Sequence, residues 1–368
     1  MKKILFTIYT FSTGGGAEKI LSNLLKNLDT EKFQIDVLPY AEYGITTGFI
    51  PDGVNLLPSI VDLTKASKVE KALKYFLVHF FPRILKKRYA PKKYDIEVSF
   101  NYQIPSFLVK ETSHTKTIEW IHGEISDLKS SKLKYLLQKR SFKRATKIIT
   151  ISENSKNSIL ELFPEFADKL QIIYNGIDTE NILSLSKQEC EEKLKSPSIL
   201  FAGRIEEEKQ PFEILKAIKI LKDRKMAVNA YFIGTGKHEE EFKQAIKDLE
   251  VTDRAFYLGF KSNPYPYFAQ CDAVCLLSKS EGFPTIFLEG MVLGKPFIST
   301  TVGGVKELSF DGKCGIIANN PQECAEAIEK IVIDKDKNSS MSDFCLEHIK
   351  NFTLQKNKEH IEKLFETV

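Results

Sequence analysis

Two carboxylates eight positions apart, Glu281 and Glu289, bracket an apolar stretch in SEGFPTIFLEGMVLGKP (residues 280–296). Upstream, FAGRIEEEKQP supplies Arg204 and Lys209. A planar guanidinium fork and a flexible ammonium together suit a diphosphate. Pro284 suits the first helical position and Gly294 the end of a helix, so a helix over residues 284–293 is expected. Glu281 then stands in the loop before that helix, and Glu289 a little over one turn inside it. Uncapped N–H groups around residues 283–285 lie between the two acids. An acid that merely complements the helix dipole explains neither Gly282-Phe283-Pro284 nor the two cations. A sugar nucleotide satisfies all of these groups: one carboxylate accepts from sugar hydroxyls, the other from ribose, and the N–H groups and cations hold the diphosphate.

Other motifs carry less. Gly14, Gly15 and Gly16 separate a first apolar run from a helical segment. There they serve either a phosphate approached by backbone or a plain tight turn. GTGKH (residues 234–238) lacks the spacing and the hydroxyl of a phosphate-binding loop. Asp334-Lys335-Asp336 reads as a surface loop, not a metal site. The six cysteines show no C-x-x-C spacing, so buried thiols are expected, with no zinc.

The elements that must position these groups alternate. KILFTIYTF, FQIDVLPY, DIEVSF, KTIEWIH, KIITIS and LQIIYNG read as buried strands separated by helical or loop sequence. The segment after the glycines places Ile20, Leu21, Leu24, Leu25 and Leu28 on one helical face. A polar interval over 181–197 breaks the rhythm, which restarts with SILFAGRI, VNAYFIGTG, AFYLGF, AVCLLS and KPFISTTVGG. This predicts an α/β protein of two Rossmann-like domains with parallel sheets facing across a cleft. The expected domains are 1–183 and 190–351, with a helix over 352–368 packing back on the first.

GGGAEK, FAGRIEEEK, the E-x7-E motif of EGFPTIFLE and TTVGGVKEL occur in order over nearly the whole chain. Together they resemble the retaining GT-B glycosyltransferases of family four. The resemblance implies that Glu281 contacts the donor sugar and Glu289 the ribose. It further implies that Arg204 and Lys209 clamp the diphosphate, and that Gly282, Phe283, Pro284 and Thr285 line the donor. Gly15 and Gly16 would close on the phosphates and acceptor, and Phe260 would border the base. His122, in WIHGE, is similar to the family histidine facing the donor sugar. Implied is transfer of a hexose or N-acetylhexosamine, with retention and with no metal or cofactor, from a nucleotide-diphosphate sugar as substrate, UDP by family frequency. A GT-B-like sugar-nucleotide epimerase and a non-catalytic nucleotide-sugar-binding module are the competing readings. A nicotinamide oxidoreductase would need G-x-G-x-x-G and a downstream acid, which are missing.

Net charge is +4, unevenly spread: residues 1–180 hold 27 Lys and Arg against 20 Asp and Glu, the remainder 26 against 29. Residues 65–93 carry ten cations and one acid around Phe76, Leu77, Phe80, Phe81, Ile84 and Leu85, and residues 129–147 eight cations and no acid. Such segments suit either an anionic bilayer surface or ordinary solvated helix faces. No nucleic-acid motif accompanies them. The first apolar run is too short for a signal peptide or a span. The expected location is therefore the cytoplasm, peripheral on the inner membrane face, with a lipid-linked or oligosaccharide acceptor.

Overall fold

The structure, a computed structural model, describes residues 1–12, 16–44 and 50–368. It comprises two compact units, Met1–Gly176 with Leu354–Val368, and Ile177–Thr353.

The first unit holds a parallel sheet of β1 (Lys2–Thr10), β2 (Phe33–Glu42), β3 (Val54–Leu56), β4 (Val61–Asp62), β5 (Ile96–Phe100), β6 (Lys116–Ile121), β7 (Lys147–Thr150) and β8 (Leu170–Ile172). The order is β3-β2-β1-β5-β6-β7-β8, with β4 also on β2. Helices cover both faces, so central strands are buried throughout, as in β5. A carboxylate in such a strand needs donors. Glu119 receives hydroxyl hydrogen bonds from Ser99 (3.0 Å), Ser106 and Ser141 (2.5 Å), and burial raises its pKa. Glu97 pairs with Lys86 and accepts from the Lys110 N–H.

Helix Leu354–Thr367 completes this unit. Phe365 packs edge-on to Phe6 and Phe33, with centroids 6.2 and 5.7 Å away, and its carbonyl accepts from Lys2 Nζ at 2.7 Å.

The second unit holds β9 (Ser198–Ala202), β10 (Asn229–Ile233), β11 (Ala255–Gly259), β12 (Ala273–Leu276), β13 (Phe297–Ser299) and β14 (Gly315–Ile317), ordered β11-β10-β9-β12-β13-β14 and parallel. Counted from β9 this is the 3-2-1-4-5-6 order, whose reversal lies between β9 and β12. Beyond the carboxyl ends of those two strands stand Arg204 and Ser278.

The division falls after Gly176, earlier than the polar interval suggests. Helix Thr179–Leu185 packs on helices Tyr265–Gln270 and Thr285–Val292, and Ile177 N–H donates to the Phe352 carbonyl at 2.8 Å. The polar interval itself is tied down by Lys261 to Glu191 and Glu192, and by Asn263 to Gln188. Asp334 is also not in a loop: it caps helix Lys335–His348, accepting from the Lys337 N–H at 3.0 Å.

Candidate active site

Strand β12 ends at Leu276, and two residues later Ser278 turns its hydroxyl to Glu281 Oε1 at 2.6 Å. Lys209 Nζ reaches the same oxygen at 2.5 Å, and both side chains are largely buried. Lys209 is brought there by a short 3-10 turn, Glu207–Lys209, whose geometry ends in Gln210 at φ +48° before helix Pro211–Asp223. The Lys279 N–H donates to the Glu208 carbonyl at 2.9 Å, pinning that turn to the loop that carries Glu281. Lysine has three N–H donors, so bonding Glu281 leaves two for another oxygen.

Arg204 follows β9 and bonds Glu206 rather than a member of this cluster. Its side chain is 63% exposed and paired with Glu206 at 2.5 Å. A guanidinium has five donors, so the exposed edge of the fork stays available to an anion.

Helix Thr285–Val292 begins one residue later than expected. Pro284 occupies the cap position, with no side-chain cap, and Thr285 is exposed at the first turn. Phe283 is buried against Gly304, where an added Cβ would fall 2.1 Å from the ring. Gly303, at φ +46°, approaches the carbonyls of Glu281 and Gly282 so closely that a Cβ would sit 2.5 and 2.6 Å from them. The Thr300 hydroxyl donates to the Ser278 carbonyl at 2.6 Å. The TTVGG segment is thus a backing layer for the Glu281–Phe283 loop.

Glu289, one turn into the helix, is half-buried. Burial, then the charges of Glu289 and Asp178, raise the Tyr265 pKa. Ser278 and Tyr265 escape sequence reading because neither belongs to a motif; Ser278 bonds Glu281 three residues along the same loop, whereas Tyr265 meets the charges of Glu289 and Asp178 only through the fold.

Phe260 follows β11 and is 72% exposed. The glycines of GTGKH serve backbone contact. A Cβ on Gly234 would lie 1.9 Å from the Gly203 carbonyl, and one on Gly236 2.3 Å from that of Ile205. They let this loop lie directly on the segment that presents Arg204.

In the first unit, His122 follows β6. Its ring lies tilted against Phe100, with centroids 4.0 Å apart, and near-parallel to Trp120 at 6.2 Å. The residue keeps some surface, yet both ring nitrogens are closed to solvent and lack a hydrogen-bond partner among the described residues. Desolvation lowers its pKa to about 3, so the imidazole is neutral at pH 7. Gly16 opens helix Gly16–Asn27, with nothing within 4 Å of where a Cβ would sit. Gly14 and Gly15 lie outside the described residues.

The two basic segments form helices Lys68–Phe80 and Pro82–Tyr89, and Lys132–Arg144. Of the expected apolar patch, Phe76, Phe80, Phe81 and Ile84 are about half exposed, Leu77 is half-buried and Leu85 is in the core. No helix among the described residues is long and apolar enough to cross a membrane.

Residues 185–344 match the family model for Glycosyl transferases group 1, and residues 14–181 that for Glycosyltransferase Family 4. The chain is 30% identical over 178 residues to the N-acetylgalactosamine-N,N'-diacetylbacillosaminyl-diphospho-undecaprenol 4-alpha-N-acetylgalactosaminyltransferase of Campylobacter jejuni; this covers 47% of each protein, about half the relative's length. It is 24% identical, over 100% of its length and 99% of the relative's, to the Campylobacter jejuni alpha-1,4-N-acetyl-D-galactosaminyltransferase named for the acceptor GalNAc-alpha-(1->4)-GalNAc-alpha-(1->3)-diNAcBac-PP-undecaprenol. In fold it is similar to Anabaena HepE in complex with UDP (TM-score 0.76, 18% identity, full coverage of both chains). It is also similar to the lipopolysaccharide outer core galactosyltransferase WaaB (TM-score 0.74, 18% identity, full coverage of both).

Proposed function

The chain belongs to the group 1 glycosyl transferases, with an amino-terminal family 4 region and the GT-B fold, and from that membership we propose retaining transfer of a hexose or N-acetylhexosamine. The donor in this reading is a UDP-sugar and the acceptor a lipid-linked saccharide of a bacterial surface polysaccharide or glycan. The observation that carries the reading is the Lys209–Glu281–Ser278 cluster at the head of the E-x7-E helix. The acceptor class is supported by the two Campylobacter relatives, whose names specify undecaprenol-linked saccharides. The donor class is supported by the UDP bound to the Anabaena protein of like fold.

In the proposed reaction, Arg204, Lys209 and the start of helix Thr285–Val292 neutralise the diphosphate as it departs, which does not call for a metal ion. The bond from the anomeric carbon to the phosphate oxygen breaks, and the acceptor oxygen bonds to that carbon on the same face. The acceptor proton passes to the leaving phosphate. Glu281 orients sugar hydroxyls and Glu289 ribose hydroxyls, while Gly282, Phe283, Pro284 and Thr285 shape the donor site and Phe260 borders the base. From the first unit, His122 and the Gly15-Gly16 loop are assigned to the sugar and to the phosphates. The close-carboxylate rule for retaining glycosidases has no counterpart in this route.

A thermal-shift panel of UDP-, GDP- and ADP-sugars, followed by transfer to undecaprenyl-diphosphate-linked saccharides, tests the proposal. Stabilisation by a UDP-sugar and a product of retained configuration are expected. An isomerised sugar from donor alone would indicate an epimerase. Binding without transfer to any acceptor would leave a non-catalytic module.

A further inference from the structure

The sheet of the first unit reverses its order between β1 and β5, with β2 on the other side of β1. Ligands of such sheets gather beyond the carboxyl ends of the strands. At that end β1 and β2 run in register, with Ile8 opposite Pro39 and Thr10 opposite Ala41, which sets Tyr9 beside Tyr40 on one face. Their ring centroids are 5.7 Å apart. Deeper on the same face, Leu5 and Leu38 join Val78 of helix Lys68–Phe80 in the core. The cover thins toward the strand ends. Tyr9, Tyr75 of that helix and Tyr43, just past β2, are each about half exposed. The Tyr43 N–H donates to the Ser12 hydroxyl at 3.3 Å, which ties it to the chain leaving β1. The phenols sit within electrostatic reach of one another: burial, then Tyr43 and Tyr75, raise the pKa of Tyr9.

An exposed aromatic residue on its own needs no explanation, but a group of them does. A buried tyrosine ordinarily finds a partner for its hydroxyl. Tyr40 is only 5% exposed, yet its hydroxyl bonds no other described residue, and neither do those of Tyr9, Tyr43 and Tyr75. Burial, then Tyr9 and Tyr75, push the Tyr40 pKa up to about 12, so that phenol is neutral at pH 7, both donor and acceptor. The cations nearest Tyr75 along its helix are engaged: Lys71 donates to the Leu63 carbonyl and Lys74 pairs with Glu70. The surface thus offers flat rings edged with neutral hydroxyls. An anion would want cations here, and an acyl chain has no use for the hydroxyls. A pyranose matches both features. Its C–H face lies on an aromatic ring, and its hydroxyls exchange hydrogen bonds with the phenols.

We propose that Tyr9, Tyr40, Tyr43 and Tyr75 form a saccharide platform at the carboxyl ends of β1 and β2, which holds sugar rings of the acceptor and selects the saccharide to be extended. This rests on the saccharide acceptor proposed above and deepens it by giving the acceptor's sugars a site in the first unit.

Saturation-transfer NMR reads the binding of free saccharides to the full chain without donor or lipid. The probes are maltotriose, chitotriose and N-acetyllactosamine, with sorbitol as a polyol that has hydroxyls but no ring. At least one saccharide is expected to receive saturation, strongest at its ring C–H protons, and sorbitol none. Y9A/Y43A is expected to weaken that saccharide's Kd about five- to tenfold. Y9F/Y43F, which keeps the rings, is expected to fall between wild type and the alanine variant. Both side chains lie largely outside the core, so melting is expected to stay unchanged; Y40F tests the buried hydroxyl without removing its ring. No saturation of any saccharide, equal saturation of sorbitol, or an unchanged Kd in Y9A/Y43A would overturn the platform. So would loss of UDP-sugar binding in Y9A/Y43A, which would move the tyrosines to the donor. The transferase reading fails separately. Tyrosine-dependent saccharide binding without transfer to any acceptor would sink that reading and support the platform. Transfer with an acceptor KM unmoved in Y9A/Y43A would do the reverse.

Discussion

Lys209 and Glu281 are 72 residues apart in the chain and 2.5 Å apart in the fold. One belongs to the turn after β9 and the other to the loop after β12, the two strands that flank the reversal of sheet order. An ion pair joins the group assigned to the phosphate with the group assigned to the sugar. Lys209→Ala is expected to lower kcat/KM by at least about a hundredfold, and Lys209→Arg to recover only part of it, because a planar fork cannot replace three rotatable donors. Steady-state kinetics with a saturating acceptor checks this; full activity in the alanine variant would refute the clamp. Arg204→Ala is expected to lose most turnover as well, despite the exposure of that side chain.

Glu289 is assigned to the ribose, a part of the donor that does not react. An interaction equal in ground and transition states alters KM and spares kcat. Glu289→Ala is expected to raise donor KM roughly tenfold to a hundredfold. A drop in kcat at unchanged KM would place Glu289 at the reacting sugar instead.

His122 predicts a pH dependence of stability. Its folded pKa, about 3, lies below the ordinary value of 6.5. Above pH 6.5 both folded and unfolded chains are neutral at this residue and the full stability is present. Between 6.5 and about 3 the unfolded chain binds a proton that the folded chain refuses, so stability falls as pH falls, by up to about 1.4 kcal/mol per pH unit. Urea unfolding over this range is expected to show a shallower acid limb in His122→Gln. Parallel limbs would contradict the buried neutral imidazole.

Gly304→Ala is expected to destabilise by about 1–3 kcal/mol, because its methyl would overlap the Phe283 ring. Phe283→Leu in the same chain should restore part of the loss by making room. Gly303→Ala adds a strained φ and displaces the Glu281 carbonyl, so melting temperature and turnover are expected to fall together. Turnover untouched by Gly303→Ala would detach the backing loop from the site.

Transfer measured after exhaustive EDTA treatment is expected to stay within about twofold of the untreated enzyme, since the charge stabilisation is assigned to Arg204, Lys209 and a helix terminus. Loss of activity restored by a divalent cation would overturn that assignment.

Much of this arrangement is readable before folding, and the reason is periodicity. The apolar runs at residues 2–10, 33–42 and 198–202 correspond to β1, β2 and β9 because strands covered by helices on both faces must be apolar throughout. Strands β3 and β14 are three residues long and sit at sheet edges, too short to leave a pattern. Lys209 and Glu281 are visible as residue types, but their contact depends on strand order. The unit boundary is misread because the packing partners of Thr179–Leu185 lie about a hundred residues downstream.

The final helix has a consequence for biogenesis. Phe6 and Phe33 are laid down early in synthesis, yet Phe365, which caps them, emerges only after all of residues 177–353 have been translated. At bacterial or slower elongation rates that interval is on the order of ten seconds or more. During it Phe6 and Phe33 lack the aromatic partner that Phe365 supplies, so this corner of the amino-terminal sheet cannot finish packing until helix Leu354–Thr367 has been made.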